Sequence, residues 1–414
     1  MSRILLTWEL GLNLGHLTRL LSLAERLKAE GHTVLVATRD IQAAIRVLAP
    51  AGVPFIPAPH LPKGIALDHR PAGYADVLLS QGWLERSALS GLTHAWLNLF
   101  KLFNPERVII DYSPTVSLAA RIAKIPTVLV GNGFEIPPVT DPLPPFPGFH
   151  WATSARAAQS EGLAVTNANA VLSAYRAAPL TALRDLVKDE TRLLATFPEL
   201  DHYGERSDVQ YIGPMLGNLR ARRVEWPQGA GPRIFACLRP DTSHAQVILS
   251  ALAGMTARVI CVASGFSAAQ LAGLKKEHML MIGQPVDLPS LSDADLCLTY
   301  GAEGTLLQFL LMGVPQLISP WHVESYMAAR RIRAAGLGLW LSGEQTAQST
   351  AKLIATLIGD RELRGRAAIF ARDHAEPGTQ RAMSAVLRTL SSNREVRQSA
   401  RVDEKSAVER MVAG

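Results

Sequence analysis

Two rhythms of apolar positions alternate along the chain. Short apolar runs of about five residues recur, and between them leucines and alanines return every three or four positions. The first forty residues show the unit. Ile4-Leu5-Leu6-Thr7-Trp8 reads as a strand buried on both faces, and Leu17, Leu20, Leu21, Leu23, Ala24 and Leu27 then follow at helical spacing. Gly31 stops that helix, and Thr33 to Ala37 resumes an apolar run. Strand, helix and strand with near-continuous apolar strands predict a parallel sheet covered on both faces.

The unit recurs. Strands are expected at Arg107 to Asp111, Pro126 to Val130 and Arg192 to Thr196, with helices over Thr115 to Ala123 and from about Ala155 to Lys188. Between Phe134 and Phe149 six prolines exclude regular structure. Further strands are expected at Arg233 to Leu238, Arg258 to Val262, Met279 to Ile282, Leu296 to Thr299 and Gln316 to Ser319. The polar stretch Arg220 to Pro232 separates the two series. The fold class is therefore α/β, with two doubly wound, Rossmann-like domains. Their expected bounds are 1–219 and 233–390, with a linker over 220–232 and a frayed, mixed-charge tail over 391–414.

Composition narrows this picture little. With 48% hydrophobic and 19% charged residues in 414, the chain can fill two cores, which excludes disordered and fibrous classes. The net charge of +6 suits an anionic small ligand or membrane surface. With no block of like charges, a nucleic-acid arm is not expected. No apolar run is long enough to span a membrane. Cys237, Cys261 and Cys297 lie far apart inside apolar runs, so neither a disulfide framework nor a zinc site is expected. They read as buried core residues of a cytoplasmic protein. Leu78 to Phe103, with Trp83 and Trp96, reads as a packed helix or an acceptor wall rather than a membrane-facing stripe. His202 reads as structural.

Three constellations carry candidate chemistry. In the loop Gly11 to Arg19 the glycines stand four apart, which is not a dinucleotide fingerprint, and His16 stands just before a helix whose positive end favours neutral imidazole. Asp111, at the carboxyl end of another strand, could reach the same crevice and orient His16. Alone, either could instead cap a helix. The third runs from Asp293 to Leu306 and on from Gly313 to Ser325. There a strand enters a glycine turn, and Thr305 opens a helix whose free N–H groups can hold phosphate. Glu324 follows on a loop suited to sugar hydroxyls.

Together these residues resemble inverting nucleotide-sugar glycosyltransferases of the two-domain GT-B architecture, especially bacterial relatives of the UDP-glucuronosyl/glucosyl and macrolide glycosyltransferases. The matching segments are Gly15-His16, Asp111, Tyr300 to Thr305, and Gly313 to Ser325. Pro285 to Pro289 sits where that family has its nucleobase loop, and Tyr211 to Pro214 marks the approach to the linker. The resemblance implies His16 as base and Asp111 as its partner. It implies donor contacts from Arg239, Pro285, Tyr300, Gly301, Glu303, Gly304, Thr305, His322, Glu324 and Ser325, and acceptor contacts from Asn13, Trp83 and Phe134. It further implies a nucleoside diphosphate sugar as co-substrate, a small-molecule acceptor, and neither metal nor resident cofactor.

Three positions depart from the family. Its donor histidine is Tyr300 here, which can donate a hydrogen bond but adds no charge. Glu303 sets a carboxylate near the phosphate site and calls for a cation, for which Arg239 is the candidate. The glutamine of the family's sugar-binding pair is Ser325. Either the donor preference is altered or the site is weakened, the latter leaving a GT-B homologue that acts as a partner or scaffold. An epimerase or hydrolase would need a dedicated carboxylate pair, which the sequence does not display.

Overall fold

The computed structural model describes residues 1–11, 14–217, 221–271, 276–375 and 378–391. The first half is one parallel sheet built from β1 (Arg3–Trp8), β2 (Thr33–Thr38), β3 (Phe55–Pro57), β4 (Arg107–Asp111), β5 (Thr127–Gly131), β6 (Thr191–Leu194) and β7 (Gln210–Tyr211). Its order is β3-β2-β1-β4-β5-β6-β7. The second half holds β8 (Arg233–Cys237), β9 (Arg258–Val262), β10 (Met279–Ile282), β11 (Leu296–Thr299), β12 (Gln316–Ile318) and β13 (Gly338–Trp340), in the order β10-β9-β8-β11-β12-β13. Every residue of β4 and β5 is buried, because helices cover both faces. The strand order reverses between β1 and β4 in one sheet and between β8 and β11 in the other, which places a crevice at the carboxyl end of each pair.

Most expected elements fall within a residue or two of their observed bounds. The exceptions have local causes. The helix expected to run to Lys188 ends at Ala174, where Arg176 turns left-handed at φ 53°, and only a short 3₁₀ turn, Leu183–Leu186, follows. β3, β7 and β13 are two or three residues long, too short to impose a rhythm. Leu78 to Phe103 is broken at Gly82 (φ 112°), and the helix Arg86–Phe103 beyond it buries Leu89, Trp96 and Phe100 as a packed helix. Cys261 and Cys297 are buried, but Cys237 is half-buried and lines the cleft, because β8 ends there.

The boundaries are less simple than the composition suggested. The linker lies along the second half: Arg222 bridges to Val286, and the Trp226 indole donates to Asp293. Residues 378–391 are helical and return to the first half, where Ala382, Met383, Ala385, Val386 and Leu390 complete the core around Leu17, Leu20 and Ile212. A second-half domain ending at 390 is therefore corrected. Except for Ser391, the expected tail lies outside the described residues. Among the described residues no helix is long and apolar enough to cross a membrane.

Candidate functional site in the cleft between the halves

A cavity of about 710 Å³ opens between the carboxyl ends of the two sheets. On the first-half side, β1 and β4 pair with Trp8 opposite Asp111, and both crevice loops leave from there. His16 lies inside the first turn of the helix Leu14–Ala29 rather than before it. Its ring stacks on Trp8 at 5.1 Å and on Tyr112 at 6.1 Å, which fixes its plane. Gly11 lets the ring approach. It sits at φ +88°, and a Cβ there would lie 2.6 Å from His16 Nε2.

His16 Nδ1 lies 2.7 Å from Asp111 Oδ1. With His16 8% and Asp111 0% exposed, this hydrogen bond is shielded from water. The expectation that His16 and Asp111 share one crevice is met. Two further residues escaped the sequence reading. Arg19, one helical turn beyond His16, donates from one guanidinium nitrogen to Asp111 Oδ1 (3.1 Å) and to Glu135 Oε2 (3.0 Å). Glu135 also accepts from the Asn132 amide nitrogen at 2.9 Å. The available signals were the His16-x-x-Arg19 spacing on one helix face and the position of Glu135 just beyond β5.

These charges reverse one expectation. Burial pushes His16 towards neutrality, but the carboxylates of Asp111 and Glu135 outweigh it and hold the imidazole pKa above its ordinary value. His16, Asp111 and Glu135 also bring three ligand atoms within 4.8 Å of one another, a spacing compatible with a metal ion. Arg19 already sets a cation between the two carboxylates.

On the second-half side, Tyr300, Gly301, Glu303, Gly304, Thr305, Pro285, His322, Glu324 and Arg239 all line the cavity. Gly301 turns at φ +97°, and a Cβ there would lie 2.6 Å from Ser325 Cβ. The helix begins at Glu303, two residues before the expected start, so Gly304 and Thr305 occupy its first turn, where N–H groups have no intrahelical acceptor. Burial pushes the Tyr300 phenol far up, so it stays a neutral donor.

Glu303 does not pair with Arg239. Arg239 is held by Asp241 through two hydrogen bonds of 3.0 Å. Glu303 Oε2 instead accepts from Asn132 Nδ2 at 2.9 Å and lies 3.9 Å from Arg19. Burial, with Glu135 and Glu324 nearby, raises its pKa to about 8. Asn132 Nδ2 also donates to Glu324 Oε1 at 3.1 Å, so one amide joins two second-half carboxylates.

Other expected contacts fall elsewhere. Ser325 is fully buried. Its hydroxyl accepts from the Trp321 and His322 amide nitrogens and donates to the His322 carbonyl, so it caps the helix Val323–Ala334 and does not face a donor sugar. His322 caps the same helix, and burial lowers its pKa. Trp83 is 1% exposed and spends its indole N–H on Thr115, which leaves no face for an acceptor. Phe134 stacks on Phe146 in the same buried cluster, 6.1 Å from the buried ring of His202. Asn13 lies outside the described residues.

No model of a known protein family matches the chain. Zeaxanthin glucosyltransferase from Pseudescherichia vulneris is 26% identical over 410 residues, covering 92% of this chain and 97% of that protein. Among solved structures, the glycotransferase of kitacinnamycin matches 94% of this chain and 98% of its own, with TM-score 0.70 and 18% identity. The calicheamicin glycosyltransferase gives the same coverage and TM-score at 19% identity. Spinosyn rhamnosyltransferase, solved with thymidine diphosphate, covers 94% of this chain and 100% of its own with TM-score 0.63 and 18% identity. The chain has the GT-B glycosyltransferase fold.

Proposed function

We propose that the chain is an inverting, metal-independent glycosyltransferase of the hexosyl-transferring type. It would move a sugar from a nucleoside diphosphate donor to a hydroxyl of a small-molecule acceptor. The observation that carries this reading is the buried His16–Asp111 pair on one wall of a cleft whose other wall is the first turn at Gly304 and Thr305. Asp111 takes the Nδ1 side of the ring, which leaves Nε2 as the nitrogen that accepts a proton. As the acceptor oxygen attacks the anomeric carbon, its proton passes to Nε2. The bond from that carbon to the phosphate oxygen breaks with its electron pair going to the diphosphate. One displacement from the face opposite the leaving group inverts the anomeric centre.

The relatives support the substrate classes. Zeaxanthin glucosyltransferase is named for a sugar transfer, and the spinosyn enzyme has been solved with thymidine diphosphate and with its aglycone. The test is a screen of UDP-, dTDP- and GDP-sugars with wild type and His16→Ala. The variant is expected to lose about 10²–10⁴ in transfer rate while binding nucleoside diphosphate as before. Wild-type turnover in His16→Ala with an ordinary hydroxyl acceptor, or retention of anomeric configuration, would remove this mechanism. If wild type binds no nucleoside diphosphate at all, a scaffold role takes its place.

A further inference from the structure

Between β3 and the helix Tyr74–Leu78 the chain forms neither strand nor helix, and residues 59–72 lie as a strap on the first half. The Ile65 amide fastens it to the Ser80 carbonyl at 2.7 Å, and the Ala72 carbonyl accepts from Phe146 at 2.8 Å. A side-chain anchor lies between these two points. His69 Nδ1 sits 2.6 Å from Asp68 Oδ1, and Nε2 sits 2.8 Å from Oδ1 of the buried Asp76. A neutral imidazole carries a single N–H, and carboxylate oxygens only accept. Holding both bonds at once therefore requires the imidazolium.

The surrounding charges favour that form. Asp76 also accepts from the Ala72 and Gly73 amide nitrogens and from the Ser160 hydroxyl of the helix Ser154–Ala174, so it joins the strap to two helices. Asp68 is 92% exposed and holds the ring through a screened contact. Arg156, on the same long helix, lies 3.7 Å from Asp68 and opposes the charge on His69. Arg70 is engaged elsewhere, its guanidinium carbon 5.0 Å from the Trp151 ring centre. Partial burial disfavours the charged ring, but the hydrogen bonds to Asp68 and Asp76 outweigh it and raise the His69 pKa above its ordinary value.

The strap carries the lip of the first half. Gly73 bridges to Pro145, and the Trp151 indole donates to the Pro71 carbonyl at 3.3 Å. Phe149 packs on Trp151 at 4.7 Å and meets the Tyr326 ring of the second half at 6.0 Å. Tyr326 belongs to the helix Val323–Ala334, which also bears Glu324 of the cleft. What holds the strap therefore supports a contact between the halves.

We propose that His69 is a proton-operated staple: charged, it ties the strap to the helices beneath it, and on losing its proton it lets the strap and the lip at residues 145–151 loosen together. The neutral ring can donate to Asp68 or to Asp76 but not to both. The staple is fully set below the ordinary imidazole value of about 6.5 and is lost as pH rises through the higher value of the held ring. Rising pH thus weakens the grip of the lip on the second half. This device goes beyond the transferase reading and does not depend on it.

Amide hydrogen exchange on the full chain tests this, read as protection corrected for intrinsic exchange from about pH 6 to about pH 9. In wild type the amides of Ile65, Ala72, Gly73 and Phe146 should lose protection as pH rises, while those of β1 and β4 stay level. The loss should reach about tenfold for each pH unit by which the fold raises the His69 pKa. His69→Gln keeps a polar side chain without the charge, so its strap should exchange faster at the low end and show no slope. The NMR titration of the His69 ring gives a second readout. Its midpoint should lie above about 6.5 in wild type and move down in Asp68→Asn. A midpoint at or below that value, level protection of the wild-type strap, or an unchanged slope in His69→Gln each overturns the inference. None of these results bears on nucleotide binding or sugar transfer, so the transferase reading stands or falls separately.

Discussion

As the base of the proposed transfer, His16 is surrounded by acids, and that sets the pH at which it would work. Burial alone would make the imidazole easy to keep neutral, yet Asp111 and Glu135 stabilise its charged form more strongly. A base with a raised pKa stays protonated, hence inactive, until higher pH. The acid limb of kcat/KM should therefore lie above the ordinary imidazole value of about 6.5. Asp111→Asn removes one of the two raising carboxylates, so the limb should move to lower pH while the plateau falls, because the ring loses the partner that sets its tautomer. A pH profile of sugar transfer for the two proteins checks this. A limb that stays in place in Asp111→Asn would detach Asp111 from His16.

At the scale of elements, the loop after β1 has to turn back beneath the imidazole. Gly11→Ala puts an L-residue at φ +88° and a Cβ 2.6 Å from Nε2. We expect about 1–2 kcal/mol of lost stability from the backbone alone. A displaced ring should lower turnover by about 100-fold, since errors of an ångström carry penalties of that size. Wild-type turnover in this variant would show that the ring can move without consequence. The long apolar strands and the helix of Leu17 to Leu27 were legible because rhythm over many residues survives any tertiary context. β3, β7 and β13 were not, being stabilised by neighbours rather than by their own pattern. The site divides in the same way. His16 and Asp111 could be read as strand-end and loop residues. Arg19 looked like one more polar position on an amphipathic helix, because its partners lie 92 and 116 residues away. Ser325 could be placed at the right position but not aimed, since sequence does not say whether a hydroxyl faces a ligand or its own backbone. For Trp83 the sequence leaves a packed helix and an acceptor wall both open, and the structure places it in the core rather than in contact with an acceptor.

For the whole molecule, the hydrogen bond from Asn132 to Glu303 joins the two halves through a carboxylate whose charge depends on pH. Glu303 titrates near 8 in the folded chain and near 4.3 when unfolded. Between those values the folded state holds a proton that the unfolded state has released, so this residue's contribution to stability falls as pH rises from about 4 to 8. Glu303→Gln keeps an acceptor for Asn132 and removes the slope. Denaturant unfolding should show the variant gaining on wild type from pH 5 to pH 9, by about 1 kcal/mol at the upper end, since the side chain is one-fifth exposed and partly screened. Parallel curves would contradict the raised pKa. The return of residues 378–391 to the first core has a mechanical consequence. The chain crosses between the halves twice, so the second half is tied to the first at two points, as a door is hung on two pins. Rotation about the line through the pins is then the easy movement, whereas sliding or unscrewing strains one tie or the other. A hinge of that kind lets the two walls of the cleft part while keeping His16 in register with the turn at Gly304 and Thr305.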